Sequence, residues 1–275
     1  MKTLILLATA GSQQFKDCEK VLKDVYNRTI NEFHLNMEVM SYSGIGNDIM
    51  ADIRLDCPED NYFVKDHMLL GWIRTQPDYD VIIKTNVSTI LNLKLLDSFI
   101  HSDAFQHDRV YGGQLMWDRR FCGGNYGMFL VGYFLMASRK VWEDAYTVWE
   151  ETFKDTMNKE VLENLTHGKM DIHGDMLFGP VCSRNGYMPT MLRGLTITNE
   201  ACENWGNRWL DQVASSVCIR CKLALPSGSP EARNTIEPTV LKILGEFYRI
   251  LPDDYKYLKD LKGSAYNTDW RIPNK

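Results

Sequence analysis

Val81-Ile82-Ile83 is a continuous apolar run held between Asp78-Tyr79-Asp80 and Lys84-Thr85-Asn86. A half-exposed strand alternates apolar with polar residues, whereas a strand apolar at every position must be covered on both faces, as in the middle of a parallel sheet. Polar residues resume where the run ends. Ligands in open α/β sheets bind beyond the carboxyl ends of strands, which makes 85–89 the expected place for a site. The chain opens the same way: Leu4 to Ala8 reads as a buried strand closing at Gly11-Ser12. Phe15, Cys18, Val21, Leu22, Val25 and Ile30 then recur at helical spacing over 14–32. Lys2 before the apolar run and Ala8-Thr9-Ala10 imitate a signal peptide and its cleavage site, but the run is short and a strand, turn and helix account for it.

Further along, the pattern predicts a strand over Met37 to Tyr42 and a helix over Asp66 to Thr75, stopped before Pro77. It also predicts a helix from Leu91 to His101, a strand at Arg109 to Tyr111 and a helix from Arg139 to Phe153. Between the last two lies a stretch with Gly112, Gly113, Gly123, Gly124 and Gly127, read as a long loop. Long loops inside compact domains are usually functional or disordered. The aromatics Trp117, Phe121 and Tyr126 suit such a loop to meeting a sugar or a nucleobase. After 190 the signals thin to a strand over Val217 to Leu225, a loop from Pro226 to Pro230, a helix over Thr239 to Tyr248, and a tail, Pro252 to Lys275, that either wraps the domain or is partly disordered.

With 275 residues, the chain is expected to form one α/β domain, a central mostly parallel sheet flanked by helices. The 36 acidic residues outnumber the 31 Lys and Arg, and no basic run is long enough to coat a phosphate backbone, so nucleic acid is not an expected partner. Seven scattered cysteines suit reduced thiols in the cytoplasm, and Cys218 with Cys221 alone makes a poor zinc or redox signal. No later stretch has the length of a membrane span, which leaves only peripheral membrane association.

Asp52 through Leu93 resembles the central motif of the β1,3-galactosyltransferase, N-acetylglucosaminyltransferase and Fringe-like family. The matching pieces are Asp52-Ile53, Glu59 to Tyr62, Lys65, and Lys84 to Leu93. Two further blocks follow in the family's order. Tyr126, Phe129, Gly132 and Ser138 match its aromatic, glycine and serine spacing, and His173-Gly174-Asp175-Met176-Leu177-Phe178-Gly179 is similar to its Glu-Asp-Val-Tyr-x-Gly block, with Gly174 replacing Glu. The resemblance spans 52–186. It implies a GT-A fold, Rossmann-like, and an inverting glycosyltransferase that moves a hexose or N-acetylhexosamine from a nucleotide sugar, a UDP-sugar first, to a saccharide hydroxyl. An unanchored, thiol-bearing version fits an enzyme building surface polysaccharide from the cytoplasm.

Inverting transfer needs a carboxylate to take the acceptor's proton and a group to stabilise the departing diphosphate. Asp175 falls on the family's catalytic Asp, while a helix N-cap is the alternative reading of the same residue. The resemblance gives donor contacts to Asp52, Lys65, Lys84, Asn86 and Ser88, and the end of the first strand adds Thr9, Gly11 and Ser12. The aromatic segment, Trp117 and Tyr126 together with Gly132 and Tyr133, is the expected acceptor side. At Asn86-Val87-Ser88 the family carries three Asp that bind Mn²⁺. Neutral Asn and Ser oxygens do not offset a divalent charge, so weakened or absent metal dependence is expected. Arg220, Lys222 and Arg233 are then the basic residues to receive the diphosphate. The Asp171, His173 and Asp175 triplet has metal-ligand residue types but reads more simply as structural.

Three other readings compete. One is a catalytically weak sugar-binding or nucleotide-binding relative, suggested by the lost acidic triplet. Another is a dinucleotide-binding enzyme, hinted at by Gly44-Ile45-Gly46, but the third glycine of that fingerprint is missing. The blandest is an interaction module.

Overall fold

A computed structural model describes residues 1–45, 51–102, 105, 110–118, 127–156, 159–169, 174–191, 196–198, 213–214, 216–221 and 230–251; within these, 114–118, 127–129, 131, 156, 174–175, 190–191, 196–198 and 230–235 are described by backbone alone. The chain begins β1 (Thr3–Ala8), α1 (Gln13–Phe33), β2 (Met37–Ile45), β3 (Ile53–Pro58), α2 (Tyr62–Arg74) and β4 (Val81–Asn86). It continues with β5 (Thr89–Leu91), α3 (Leu93–Ile100), β6 (Tyr111–Asp118), β7 (Gly127–Ser138), α4 (Arg139–Thr156) and α5 (Lys159–Thr166). The remaining elements are α6 (Gly174–Arg184), β8 (Thr190–Met191), β9 (Thr196–Thr198), β10 (Cys218–Arg220) and α7 (Pro230–Ile250).

Among the described residues the main sheet has seven strands in the order β3-β2-β1-β4-β7-β6-β8, and β5-β10-β9 form a small second sheet. β3, β2, β1 and β4 run parallel, β7 is antiparallel to both β4 and β6, and β8 is parallel to β6. The fold class expected from the sequence, α/β with a mostly parallel sheet between helices, is therefore present.

The apolar run Val81-Ile82-Ile83 is divided by the pleat between two cores. Val81 and Ile83, with Ile5 and Leu7 of β1, face the layer of α1, α3 and α7; Ile82, with Leu4 and Leu6, faces α2, α4 and α6. Trp142 of α4 closes the second core, its Nε1 donating to the carbonyls of Ile82 and Ala137 at 3.2 Å each. In the first core α7 lies along α1, where a Cβ on Gly245 would sit 2.5 Å from Val25 Cγ1. Only glycine allows that approach.

Several boundaries differ from the sequence reading. The stretch read as a long loop is largely a hairpin, β6 with β7, because glycine serves there as a packing residue: a Cβ on Gly113 would meet the Phe134 carbonyl at 2.4 Å. Residues 119–126, with Phe121 and Tyr126, lie outside the described residues. The helix expected from Leu91 starts at Leu93, since Thr89–Leu91 pairs with β10 and Asn92 caps α3 by accepting from Leu95 N at 3.2 Å. Helix α2 begins four residues early, at Tyr62, because Asn61 caps it through Val64 N. Helix α7 starts at Pro230, so the expected helix extends back through Pro238, and the tail after Leu251 lies outside the described residues.

Candidate functional site

The register of the central strands builds the site's floor. Ala8, the last residue of β1, sits beside Tyr42 on one side and Asn86, the last residue of β4, on the other. Thr9 N then donates to the Tyr42 carbonyl at 3.1 Å and Val87 N to the Ala8 carbonyl at 3.2 Å. The end of β1, which Thr9, Gly11 and Ser12 follow, is thereby placed beside the end of β4, which Ser88 follows, although 77 positions separate Thr9 from Asn86 in the sequence. The Thr9 and Ser43 hydroxyls, at the ends of β1 and β2, are buried without a hydrogen-bond partner among the described residues. Ser12 occupies the N-cap position of α1 but makes no side-chain capping bond, and it is exposed at the sheet edge. On the far side of β4, Thr85 Oγ1 donates to the Tyr133 carbonyl at 2.6 Å, which brings Gly132 and Tyr133 of β7 to the same edge.

On the α2 side charges are buried in pairs. Lys84 Nζ meets Asp66 Oδ1 at 2.6 Å, with both side chains at most one-tenth exposed. Lys65 Nζ meets Glu59 Oε1 at 2.6 Å and the Glu59 carbonyl at 2.7 Å, while Glu59 Oε2 accepts from Gly44 N at 2.5 Å. The Tyr42 hydroxyl joins this network; burial drives its pKa upward, against the pull of Lys84. Both expected lysines are thus present at the edge, each with a carboxylate partner. Those partners, Asp66 and Glu59, were not singled out as site residues, and their only sequence signal is acid near lysine around the start of a helix. Gly44 belongs to β2, and a Cβ there would lie 2.6 Å from the Cys57 carbonyl. Asp52 lies at the start of β3, across β2 and β1 from Asn86, and accepts from Ser41 N at 2.7 Å and Lys23 Nζ at 2.6 Å.

On the opposite side, the small sheet leans over the turn after β4. Arg220 is paired with Thr89 across β10 and β5, and Cys221 N donates to the Ser88 carbonyl at 2.7 Å. The Arg220 guanidinium carbon stands over the Tyr133 ring, 5.1 Å from its centroid, and Arg220 Nε has no hydrogen-bond partner among the described residues. The platform is held by Tyr26 of α1, whose hydroxyl accepts from Leu91 N at 2.8 Å and donates to the Thr89 carbonyl at 3.3 Å. Burial pushes the Tyr26 hydroxyl well above its ordinary pKa, which keeps it a neutral strut. Cys218 and Cys221 are buried in this platform and form no disulfide among the described residues.

The turn's oxygens are poor partners for a divalent cation. Asn86 Oδ1 already accepts from Ser88 N at 3.1 Å and Thr89 Oγ1 at 2.9 Å, and the turn carries no carboxylate. Hard divalent ions are held by oxygen sets that include carboxylates, so Asn86 and Ser88 do not fit the Mn²⁺ role of the acidic triplet. Among the described residues no group of three or more His, Cys, Asp or Glu is placed to hold a metal ion.

Asp175 is the second residue of α6, inside its first turn. Helix α6 packs on β7 and α4 through Leu177, Phe178, Val181 and Cys182, in the layer that covers the Lys84 side of the sheet. Trp117 is in β6, the strand beyond β7, and Arg233 is in the first turn of α7. Lys222, Asp171 and His173 lie outside the described residues. Among the described residues no helix is long and apolar enough to cross a membrane.

No protein-family model matches the chain, and no curated protein does. Solved structures similar to it include a glycosyltransferase involved in the glycosylation of the major capsid of PBCV-1, at 10% identity over 87% of this chain and 100% of that one, with a TM-score of 0.45. Another is the galactosyltransferase LgtC in complex with donor and acceptor sugar analogs, at 10% identity over 94% of this chain and 100% of that one, TM-score 0.46. An active-site mutant of LgtC is similar at 11% identity over the same shares, TM-score 0.42.

Proposed function

We propose that residues 1–275 form one GT-A-type domain of an inverting glycosyltransferase, which moves a hexose or N-acetylhexosamine from a nucleotide sugar, UDP-linked first, to a hydroxyl of a glycan or lipid-linked saccharide. The observation that carries the reading is the convergence of Thr9 to Ser12, Asn86 to Thr89, Gly132, Tyr133 and Arg220 on one carboxyl edge of a mostly parallel sheet. That edge is where this architecture binds nucleotides. The partner-less hydroxyls of Thr9 and Ser43 suit a nucleoside's polar edge, and Gly11 allows close backbone approach. Lys84 and Lys65, already paired with Asp66 and Glu59, hold the strands of this edge in place, and Asp52 supports it by tying β2 to α1. The acceptor side falls to Trp117, Tyr126, Gly132 and Tyr133, with Lys222 and Arg233 near the diphosphate.

In this reading Asp175 takes the proton from the acceptor hydroxyl as its oxygen attacks the anomeric carbon, and the diphosphate leaves with the bonding electron pair. The buried cysteines, in no disulfide among the described residues, support work in a reducing compartment such as the cytoplasm. The test is a transfer assay over a panel of nucleotide sugars with saccharide acceptors, together with Asp175→Asn. General-base loss should lower kcat by roughly 10²- to 10⁴-fold while UDP affinity stays within about twofold. Full activity in the variant removes Asp175 from the mechanism. A wild-type protein that binds nucleotides but transfers nothing selects the weak binding relative instead.

A further inference from the structure

We infer that Arg220 takes the place of a divalent cation in this site and receives the diphosphate as the glycosyl bond breaks. The inference rests on the nucleotide-sugar reading above, and it begins from a mismatch. The turn that follows β4 is neutral and its Asn86 oxygen is already committed to Ser88 and Thr89, so the turn supplies no charge for an anionic ligand. Yet a fixed cation stands beside it.

Its position is set by backbone. Strand pairing puts Arg220 opposite Thr89, the next residue is bonded to the Ser88 carbonyl, and the pair of strands is pinned from beneath by Tyr26. The side chain is set as well, because the guanidinium stands over the Tyr133 ring, and the Tyr133 backbone is tied to Thr85 of β4. An aromatic face attracts the cation without neutralising it or consuming its N–H groups, in contrast to a carboxylate, which does both. A guanidinium also remains protonated in any protein environment and matches two phosphate oxygens with its planar fork. Arg220 is therefore oriented and charged, its side chain is only partly buried, and no carboxylate among the described residues neutralises it.

The chemistry balances with Arg220 unchanged. The acceptor oxygen bonds to the anomeric carbon, its proton goes to the base, and the bond to the diphosphate oxygen breaks with its electron pair on that oxygen. The diphosphate gains one negative charge, which the guanidinium stabilises electrostatically without giving up a proton.

Calorimetric titration of the full chain with uridine diphosphate, with guanosine and thymidine diphosphates alongside, tests this in chelator and in Mn²⁺. Wild-type affinity should agree within about twofold between the two conditions. Arg220→Ala should weaken binding about 10- to 100-fold, the range for a hydrogen bond to a charged group. Arg220→Lys should fall between, since it keeps the charge and loses the fork, and Mn²⁺ should rescue neither. Thermal melting identifies any variant that has lost its fold, and Arg220→Gln then stands in for alanine. Binding that vanishes in chelator and returns with Mn²⁺ overturns the assignment, and so does unchanged affinity in Arg220→Ala. Those outcomes leave the transferase reading standing, whereas a wild-type chain that binds none of the three diphosphates in either condition removes both.

Discussion

The two layers covering the sheet treat charge differently near its carboxyl edge. On the α2 side Asp66 holds Lys84 and Glu59 holds Lys65, so each cation is answered by a carboxylate at 2.6 Å. On the α1 side the Tyr26 hydroxyl and the Cys218 and Cys221 thiols are buried beneath the small sheet, the buried Glu237 accepts from the neutral Gln14 amide at 2.7 Å, and Arg220 rests on an aromatic ring. A buried pair whose charges cancel holds strands in register but offers little field to a ligand, while a cation on a ring keeps its field. The difference separates lysines that build the edge from an arginine available to work at it.

The strongest attack on this comparison is to strand one charge. Lys84→Met leaves the Asp66 carboxylate buried, its side chain 5% exposed, and should cost about 3–5 kcal/mol. Urea unfolding measures it, and adding Asp66→Leu should recover most of the loss. A single-variant cost under about 1 kcal/mol would mean that the pair is not desolvated, and the α2 side would lose its distinction.

How much of this was legible follows from the range of each signal. Val81 to Ile83 and Leu4 to Ala8 announced buried parallel strands because burial on both faces is written locally, and the 14–32 periodicity found α1. β3 is also written locally, as Ile53-Arg54-Leu55-Asp56-Cys57-Pro58 with alternate residues buried, but a period of two over six residues that end in Pro58 is a short signal. The β6 and β7 hairpin was read as loop because glycine signals a turn until a neighbour such as the Phe134 carbonyl shows that it is there for packing. The edge residues Thr9 and Asn86 were found from the rule about strand ends. Their partners were not: Asp66 lies 18 positions from Lys84 and Tyr133 lies 48 from Thr85, distances that only the sheet order closes.

A smaller effect is expected on the other side of the sheet, at the neutral Tyr26 strut. Tyr26→Phe leaves the Leu91 N–H buried without its acceptor and should cost about 1–3 kcal/mol, the range for one unsatisfied buried donor. Because β5 and β10 carry Arg220, the same substitution should also weaken uridine diphosphate binding, by less than Arg220→Ala does. Stability loss with unchanged affinity would show that the platform's position does not set the arginine's.

The smallest effect belongs to a charge pair outside both buried groups. Burial raises the Asp52 carboxyl, but Lys23 at 2.6 Å and the Ser41 N–H outweigh it and leave the pKa below its ordinary value. The folded state therefore holds this proton more weakly than the unfolded chain. Its stabilisation is present in full above the ordinary carboxylate pKa of 3.8 and is lost as pH falls through the lower folded value. With the two side chains 45% and 24% exposed, solvent screening keeps the contribution under about 1 kcal/mol. In paired urea titrations, wild type should exceed Asp52→Asn by a small, constant margin near pH 6. That margin should shrink once the pH drops below about 4, where the unfolded carboxylate takes up its proton. A margin that persists to pH 2 would assign the effect to the Ser41 hydrogen bonds alone. It would also place Asp52 with the neutral struts, leaving charge pairing at this edge to the two buried pairs beside α2.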